Sequence, residues 1–365
     1  LVQRRLVFDA TPFLFRGAGV GRVTASLYEH LCGVPSEYEI SLYFRCVRGC
    51  PGGFTEPKRT CHLRLPQFLE GMMRKWGVIE RALPADLYHA TDHYLPLKSP
   101  SNCVATVHDM MFLTHPDPAI HTHSRQARLV PSFLEKCRRV IAVSEATKRD
   151  ILLTTKVPED RIDVVPWAVD QTVFYPETNV EALEKARKDL KLPSCYLLAV
   201  GCSTGRKNTP RLLEAFREVL KRFPGQHLVL VWDPPASVVE AFGDIRENLT
   251  FTGKVTDAQL RALYTGALVS VYVSRYEGFG LPVLEAMACG TPVITADNTS
   301  LPEVGGEAAY YVDAEDTASI AEALCAAVEG TLPVERMRSD GRQQVQNFTW
   351  ERTVKKVLET YDRCF

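Results

Sequence analysis

The segment Glu277-Gly278-Phe279-Gly280-Leu281-Pro282-Val283-Leu284-Glu285 sets two carboxylates eight residues apart around a glycine-rich bend. The apolar run Val269–Val273 precedes it, and Pro282 suits the first position of a helix, where its missing N–H costs nothing. Gly278 and Gly280 let the main chain turn tightly and approach a ligand, with Phe279 held between them. A bend that opens a helix offers backbone N–H groups to an anion, and carboxylates accept hydrogen bonds from hydroxyl groups. Glu285, early in the helix, is placed to hold ribose hydroxyls, and the loop acid Glu277 to meet a sugar. The combination suits a phosphorylated sugar. The competing reading is a capped helix whose acids are incidental.

Gly201-Cys-Ser-Thr-Gly-Arg-Lys-Asn-Thr-Pro210 is the second such stretch. A buried strand ends at Gly201, and a helix begins near Pro210 with Asn208 or Thr209 as its cap. Arg206 and Lys207 then sit beside an electropositive helix terminus, where two fixed cations hold a pyrophosphate and absorb charge as it leaves. The Gly-x4-Gly-Lys-Ser/Thr order of a triphosphate loop is absent. Taken alone, the pair also reads as a solvated helix start. Gly17, Gly19 and Gly21 follow the first strand, but Arg22 stands where a dinucleotide fingerprint needs its third glycine. A loop closing over phosphate or acceptor fits them better. His108-Asp109 ends the run Val104–Val107, at a strand's carboxyl edge. A neutral His108 can hydrogen-bond a sugar hydroxyl, a charged one can stabilise an anion, and a structural histidine bonded to backbone is the alternative. His89, Asp92, His93, His115, His121 and His123 raise the metal question, but His121-x-His123 is half a site and no Asp-x-Asp pair is present. No catalytic metal is expected.

Positioning these groups takes a large α/β framework. At 365 residues the chain exceeds the size at which single cores stop growing, so two domains are expected. Hydrophobic residues make up 45% and charged residues 24%, ordinary for a globular protein, and no apolar run is long enough to span a membrane. The first nine residues read as a strand rather than a signal peptide. Residues 1–170 hold 22 Lys and Arg against 18 Asp and Glu, far from a nucleic-acid-binding balance. That mild basicity can favour anionic lipid or a phosphorylated acceptor, or be ordinary surface variation. The 11 cysteines make no zinc pattern and fit a reducing cytosol.

Strand patterns recur at Leu6–Asp9, Ile40–Phe44, Leu87–His89, Cys103–Val107, Arg139–Val143 and Ile162–Val165, with residues 49–66 read as loop and 67–83 as one amphipathic helix. In that helix Met72, Met73 and Trp76 suit core packing, with a membrane-facing patch beside Arg74 and Lys75 as the alternative. The pattern restarts with strands at Cys195–Gly201, His227–Trp232, Leu249–Phe251, Val269–Val273 and Pro292–Thr295, and helices at 210–222, 257–264 and 282–289. Thr256 and Gln259 fit a capping box. Alternating strands and helices predict two consecutive doubly wound domains, 1–174 and 175–347, with a ligand cleft between them, and a final helix over 348–365 that packs back on the first.

Together these residues resemble the retaining, two-domain GT-B glycosyltransferases, specifically glycosyltransferase family 4. The resemblance rests on the Glu-x7-Glu element at 277–285, Gly201 with Arg206-Lys207-Asn208, Phe251-x-Gly253-x-Val255, Val107-His108-Asp109, Ala142-Val143-Ser144 and Val165-Pro166-x-x-Val169-Asp170. The Arg-Lys-Asn form and His108-Asp109-Met110 look most like bacterial mannosyltransferases of O-antigen or exopolysaccharide synthesis. The resemblance implies a GT-B fold of two Rossmann-like domains, an acceptor-side first domain and a second domain that binds the nucleotide sugar, GDP-mannose above all. It further implies that Arg206 and Lys207 bind the diphosphate, and that Glu277 with the N–H groups of Gly278, Phe279, Gly280 and Leu281 orients the sugar. Glu285 would hold the ribose, His108 touch the transferred sugar, and the loop bearing Gly19 and Gly21 close over the phosphates.

In such enzymes the departing phosphate takes the acceptor proton, so no covalent nucleophile and no cofactor are needed. Implied partners are a saccharide or lipid-linked glycan acceptor and a peripheral membrane contact through the first domain, with no nucleic acid. The implied place is the cytoplasm, at the inner face of the membrane. Many family members carry an arginine directly after the first glycine of the second domain; here it is Cys202, with Arg206 as the substitute. UDP-glucose or UDP-N-acetylglucosamine is the alternative donor. A nucleotide-sugar epimerase or phosphorylase, or a non-catalytic nucleotide-sugar-binding scaffold, are the readings of another class.

Overall fold

The computed structural model of the chain describes residues 3–15, 19–45, 60–63, 69–115, 121–203 and 205–365. The chain divides into two compact units, Leu1–Ala168 with Trp350–Phe365, and Val169–Thr349. Residues 169–174 group with unit 2 rather than with the domain before them. Phe174 meets Tyr264 edge-on at 6.3 Å, and Arg261 donates to the Val173 carbonyl.

Unit 1 runs β1 (Arg4–Asp9), α1 (Gly19–Gly33), β2 (Tyr38–Arg45), β3 (Thr60–Leu63), α2 (Glu70–Trp76), α3 (Val78–Ala82), β4 (Leu87–Ala90), β5 (Cys103–Val107), α4 (Met111–Thr114), α5 (His121–Leu134), β6 (Arg139–Ala142), α6 (Glu145–Thr154) and β7 (Ile162–Val164). The strands pair in parallel in the order β3-β2-β1-β4-β5-β6-β7. The central β4 and β5 are buried along their whole length. That burial on both faces explains why neither strand shows the polar alternation of a half-exposed one; their polar members, His89 and Thr106, bond to each other. β3 corrects the loop expected over 49–66: Thr60–Leu63 pairs with Leu42–Arg45 at the sheet edge. Its four residues carry too little apolar periodicity to announce a strand, and the rest of that stretch outside 60–63 lies beyond the described residues.

The single helix expected over 67–83 is two. Gly77 turns left-handed at φ 59°, donating its N–H back to Arg74 and Met73, so α2 stops there and α3 starts afresh. Met73 and Ile79 are core residues, while Met72 and Trp76 are 45% and 53% exposed. Among the described residues no helix is long and apolar enough to cross a membrane.

Unit 2 runs α7 (Val180–Asp189), β8 (Leu197–Val200), α8 (Thr209–Arg222), β9 (Leu228–Val231), α9 (Ala236–Ala241), β10 (Leu249–Phe251), α10 (Asp257–Gly266), β11 (Val269–Tyr272), α11 (Leu281–Ala288), β12 (Val293–Ala296), α12 (Leu301–Gly305), β13 (Ala309–Val312), α13 (Thr317–Glu329) and α14 (Val334–Val345). Its parallel sheet has the order β10-β9-β8-β11-β12-β13. Leu197, Phe216, Leu230, Val271, Ile294 and Leu324 join one core. Thr256 and Gln259 form the expected capping box, and Gly290 at φ 74° follows the end of α11.

The last helix, α15 (Trp350–Asp362), belongs to unit 1. Tyr361 bonds His89 Nδ1 at 2.7 Å, Tyr38 donates to Asp362 at 2.8 Å, and Trp350 stacks on His30. Tyr38, Tyr361 and His89 thus have partners for their polar atoms inside the packed interface, which is what burying Tyr and His requires.

Candidate active site

In unit 2 the chain leaves β8 toward β9 and leaves β11 toward β12, so the connections diverge between two adjacent strands. Such a switch point leaves a crevice outside the carboxyl ends of the strands. The turn after β8 carries Arg206 and Lys207, and the turn after β11 carries Glu277. Sequence separates them by some seventy positions; the parallel pairing of β8 with β11 puts their ends side by side.

There the three side chains close into one ion cluster. Arg206 Nη1 donates to Glu277 Oε2 at 2.7 Å, and Lys207 Nζ lies 2.7 Å from Oε1. Lys207 also donates to the Tyr272 hydroxyl. Burial works to raise the Glu277 carboxyl, but the Lys207 and Arg206 charges overcome it and hold it at about 2. Burial likewise pulls Lys207 below its ordinary value, against the opposing charge of Glu277. The cluster is therefore a carboxylate flanked by two cations, largely withdrawn from water.

Backbone bonds fix this arrangement. Arg275 N donates to Arg206 O at 2.8 Å, linking the two turns directly. Asn208 occupies the cap position of α8, but at φ 58° its side chain caps nothing. Its Nδ2 donates instead to Val273 O at 3.1 Å and Ala314 O at 2.7 Å, tying three strand ends together. Thr209 Oγ1 accepts from Ser203 N at 3.0 Å. The expected cap thus serves as a clamp across the edge of the sheet.

The glycine bend is held with similar economy. Ser300 Oγ donates to the carbonyls of Glu277 at 2.9 Å and Phe279 at 2.7 Å, and Glu277 N donates to Thr299 Oγ1 at 3.1 Å. Phe279 packs edge-on against Phe348 at 5.8 Å. Gly280, at φ 115°, caps α11, and a Cβ there would lie 2.9 Å from Leu301. Leu281 is the first helical residue and Pro282 the second, one later than the sequence suggested. Glu285, in α11, is buried and accepts from the Tyr264 hydroxyl at 3.1 Å.

The other expected site residues lie in unit 1. His108 follows β5; its Nε2–H donates to Thr91 O at 2.8 Å and its ring stacks on Trp167. Burial lowers its pKa, so the imidazole is neutral with Nδ1 as an acceptor. Gly19 and Gly21 sit in the first turn of α1 rather than in a loop, because the helix begins at Gly19; Gly17 lies outside the described residues. Cys202 follows β8 with its thiol pushed up to about 12 by burial.

Of the metal candidates, His89 has both ring nitrogens engaged, by Tyr361 and Thr106, and His93 lies 2.5 Å from Asp92. Among the described residues no group of three or more His, Cys, Asp or Glu could hold a metal ion. The side chains of His121 and His123 are outside the described set. Tyr272, Tyr264 and Ser300 are the participants the sequence did not flag. A tyrosine at the carboxyl end of an otherwise apolar strand was the available signal for Tyr272.

Family models match the two units separately: "Glycosyltransferase Family 4" over residues 17–173 and "Glycosyl transferases group 1" over residues 194–329. The chain is a glycosyltransferase of the GT-B fold. Escherichia coli O-antigen chain mannosyltransferase B is 27% identical to it, over 98% of this chain and 99% of that protein. The E. coli serotype-specific mannosyltransferase WbdA is also 27% identical, over 63% of the chain, which spans 29% of WbdA.

Among solved structures, sucrose-phosphate synthase from Thermosynechococcus elongatus superposes with a TM-score of 0.77 at 20% identity, covering 98% of each chain. Anabaena HepE in complex with UDP and glucose gives 0.74 at 16% identity, over 98% of this chain and 99% of that one. At those identities the structures speak for the fold. This glycosyltransferase acts on a nucleotide-sugar donor and a saccharide acceptor.

Proposed function

We propose that the enzyme transfers mannose from GDP-mannose to a saccharide or lipid-linked saccharide, with retention of anomeric configuration. The observation that carries the donor site is the convergence of Arg206 and Lys207 on Glu277 at the switch point of unit 2. Two cations already positioned beside a helix-opening bend suit a diphosphate. Before the donor arrives, Glu277 holds them in place; the diphosphate then takes over their charge, and Glu277 turns to the sugar hydroxyls. Arg206 stands in for the arginine that Cys202 replaces. Glu285 holds the ribose, the N–H groups from Gly278 to Leu281 orient sugar and phosphate, Gly19 and Gly21 border the phosphates, and His108 accepts from a hydroxyl of the transferred sugar. Mannose is supported by both relatives described above being named mannosyltransferases.

In the reaction the bond from the anomeric carbon to the phosphate oxygen breaks and the new glycosidic bond forms on the same face. The acceptor hydroxyl proton passes to the departing phosphate, leaving GDP. Work takes place at the inner face of the membrane, with exposed Met72 and Trp76 beside Arg74 and Lys75 as the contact. A UDP donor, UDP-glucose or UDP-N-acetylglucosamine, is the second reading, favoured by the HepE complex holding UDP and glucose on this fold. Calorimetric titration with GDP-mannose and both UDP-sugars, with donor hydrolysis followed in parallel, decides between them. Tightest binding and turnover with GDP-mannose is expected; preference for either UDP-sugar would overturn the mannose assignment.

A further inference from the structure

Among the described residues, four that are not glycine hold a left-handed backbone: His93, Lys191, Asn208 and Thr299. Two of them border the ion cluster of unit 2. Asn208 directly follows Lys207, and Thr299 bonds the main chain of Glu277. Asn and His visit this region more readily than most residues, and Lys191 follows the end of α7. Thr299, at φ 50°, is the one β-branched residue of the four, and a branched side chain is strained there. A glycine would take the same backbone without steric conflict. What the threonine supplies and glycine cannot is a hydroxyl, and that hydroxyl meets Glu277.

Thr299 Oγ1 accepts from Glu277 N at 3.1 Å and donates to Asn298 Oδ1 at 3.2 Å. The neighbours of Thr299 reach the same turn. Asn298 Nδ2 donates to Ser274 O at 3.1 Å, and Ser300 Oγ donates to the carbonyls of Glu277 and Phe279. Consecutive side chains of an extended segment point to opposite faces. The left-handed residue breaks that alternation, so three in a row close on the turn between β11 and α11. Parallel pairing of β11 with β12 places the segment after one strand beside the segment after the other.

Glu277 is the member of the cluster with the most to change. Its two oxygens hold Arg206 and Lys207, and they must leave those cations to take sugar hydroxyls. A side chain that exchanges partners keeps its aim only while its main chain stays still. The Glu277 N–H is fixed by Thr299 and its carbonyl by Ser300.

We propose that Thr299 is a positioning residue for the transfer: its strained backbone and its hydroxyl hold the main chain of Glu277 while the carboxylate passes from the two cations to the sugar of the donor. A misplacement of about 1 Å at such a group can cost roughly 100-fold in rate. The inference rests on the reading that Glu277 meets the transferred sugar, but not on which sugar or base the donor carries.

The test follows donor hydrolysis by the full chain with GDP-mannose, UDP-glucose and UDP-N-acetylglucosamine, using the donor turned over fastest. Glu277→Gln should lower kcat, as contact with the sugar requires. Thr299→Gly, which relieves the strain and removes the hydroxyl, should lower kcat roughly 10- to 100-fold. Thr299→Ser, which keeps the hydroxyl and sheds the branch, should restore most of that rate. In the Glu277→Gln background, Thr299→Gly should cost less than about threefold more, because a residue acting through Glu277 then has nothing left to aim. Relief of strain offsets the lost bond, so the urea midpoint of Thr299→Gly should stay close to the parent's, and a kcat loss is not a folding loss. Full turnover in Thr299→Gly, no recovery in Thr299→Ser, or losses that multiply in the double variant would overturn the inference while leaving Glu277 in its role. Full turnover in Glu277→Gln, or no turnover of any of the three donors by the parent chain, would overturn the reading of the site and the inference with it.

Discussion

The Lys207 ammonium pairs with the Glu277 carboxylate and donates to the Tyr272 hydroxyl, and burial works against its charge. A cation held this way is worth most when negative charge develops on the leaving phosphate, so Lys207→Ala should lower kcat about 100-fold or more. The donor dissociation constant should change far less; equal losses in both would contradict a transition-state role. Glu285 makes the opposite case. It sits in α11 with Tyr264 on one oxygen and takes no part in the Arg206–Glu277 and Lys207–Glu277 ion pairs, so Glu285→Gln should weaken donor binding about tenfold while largely sparing kcat. An unchanged donor affinity would remove it from the ribose. Glu277, Arg206 and Lys207 stood out in the sequence because charged residues flanked by glycines have few structural uses. Tyr272 did not, since a tyrosine in an apolar strand usually just packs.

Each element contributes by where its strand ends. β8 and β11 deliver the cations and the carboxylate because they are neighbours in the sheet, and Asn208 locks their ends together. The bend before α11 depends on Gly280. Gly280→Ala would force a side chain to φ 115° with its Cβ 2.9 Å from Leu301, and should cost about 1–3 kcal/mol in urea unfolding. Retained stability would mean that the bend is looser than its Ser300 bonds imply. The capping box at Thr256 was readable because a cap is a local four-residue pattern. The break at Gly77 and the strand Thr60–Leu63 were not, since one depends on a single left-handed residue and the other on a neighbouring strand's edge.

At the scale of the molecule, the ionisable groups set the pH range of stability. Burial opposes the charge of His93, yet Asp92 and Asp109 hold it at about 9, above the ordinary 6.5. Its contribution is complete below pH 6.5 and is lost as pH rises through 9. Glu277 and Asp92, both near 2 despite burial, contribute above 4.5 and 3.8 and lose that as pH falls. His89, lowered by burial to about 3, adds to the acid-side loss, because only the unfolded chain takes its proton between 6.5 and 3. Asp9, raised by burial to about 6, acts in the other direction between 3.8 and 6. Three groups against one predict a urea midpoint that peaks near neutrality and falls toward both acid and alkali. A midpoint rising steadily from pH 7 to 9 would contradict the Asp92–His93 pair.

The sequence by itself determined the α/β class, the doubled strand–helix pattern and the charged residues that form the ion cluster of unit 2. Those are carried by local periodicity and by motifs whose glycines and charges lie close together along the chain. The tertiary structure decided what those residues do to one another. Only the parallel pairing of β8 with β11 reveals that Glu277 neutralises Arg206 and Lys207 rather than facing them as a separate acid. Only the pairing of β1 with both β2 and β4 brings Asp9, Tyr43 and Asp92 around one cavity. Such contacts join positions tens of residues apart, and strand order, which no local pattern encodes, is what makes them neighbours.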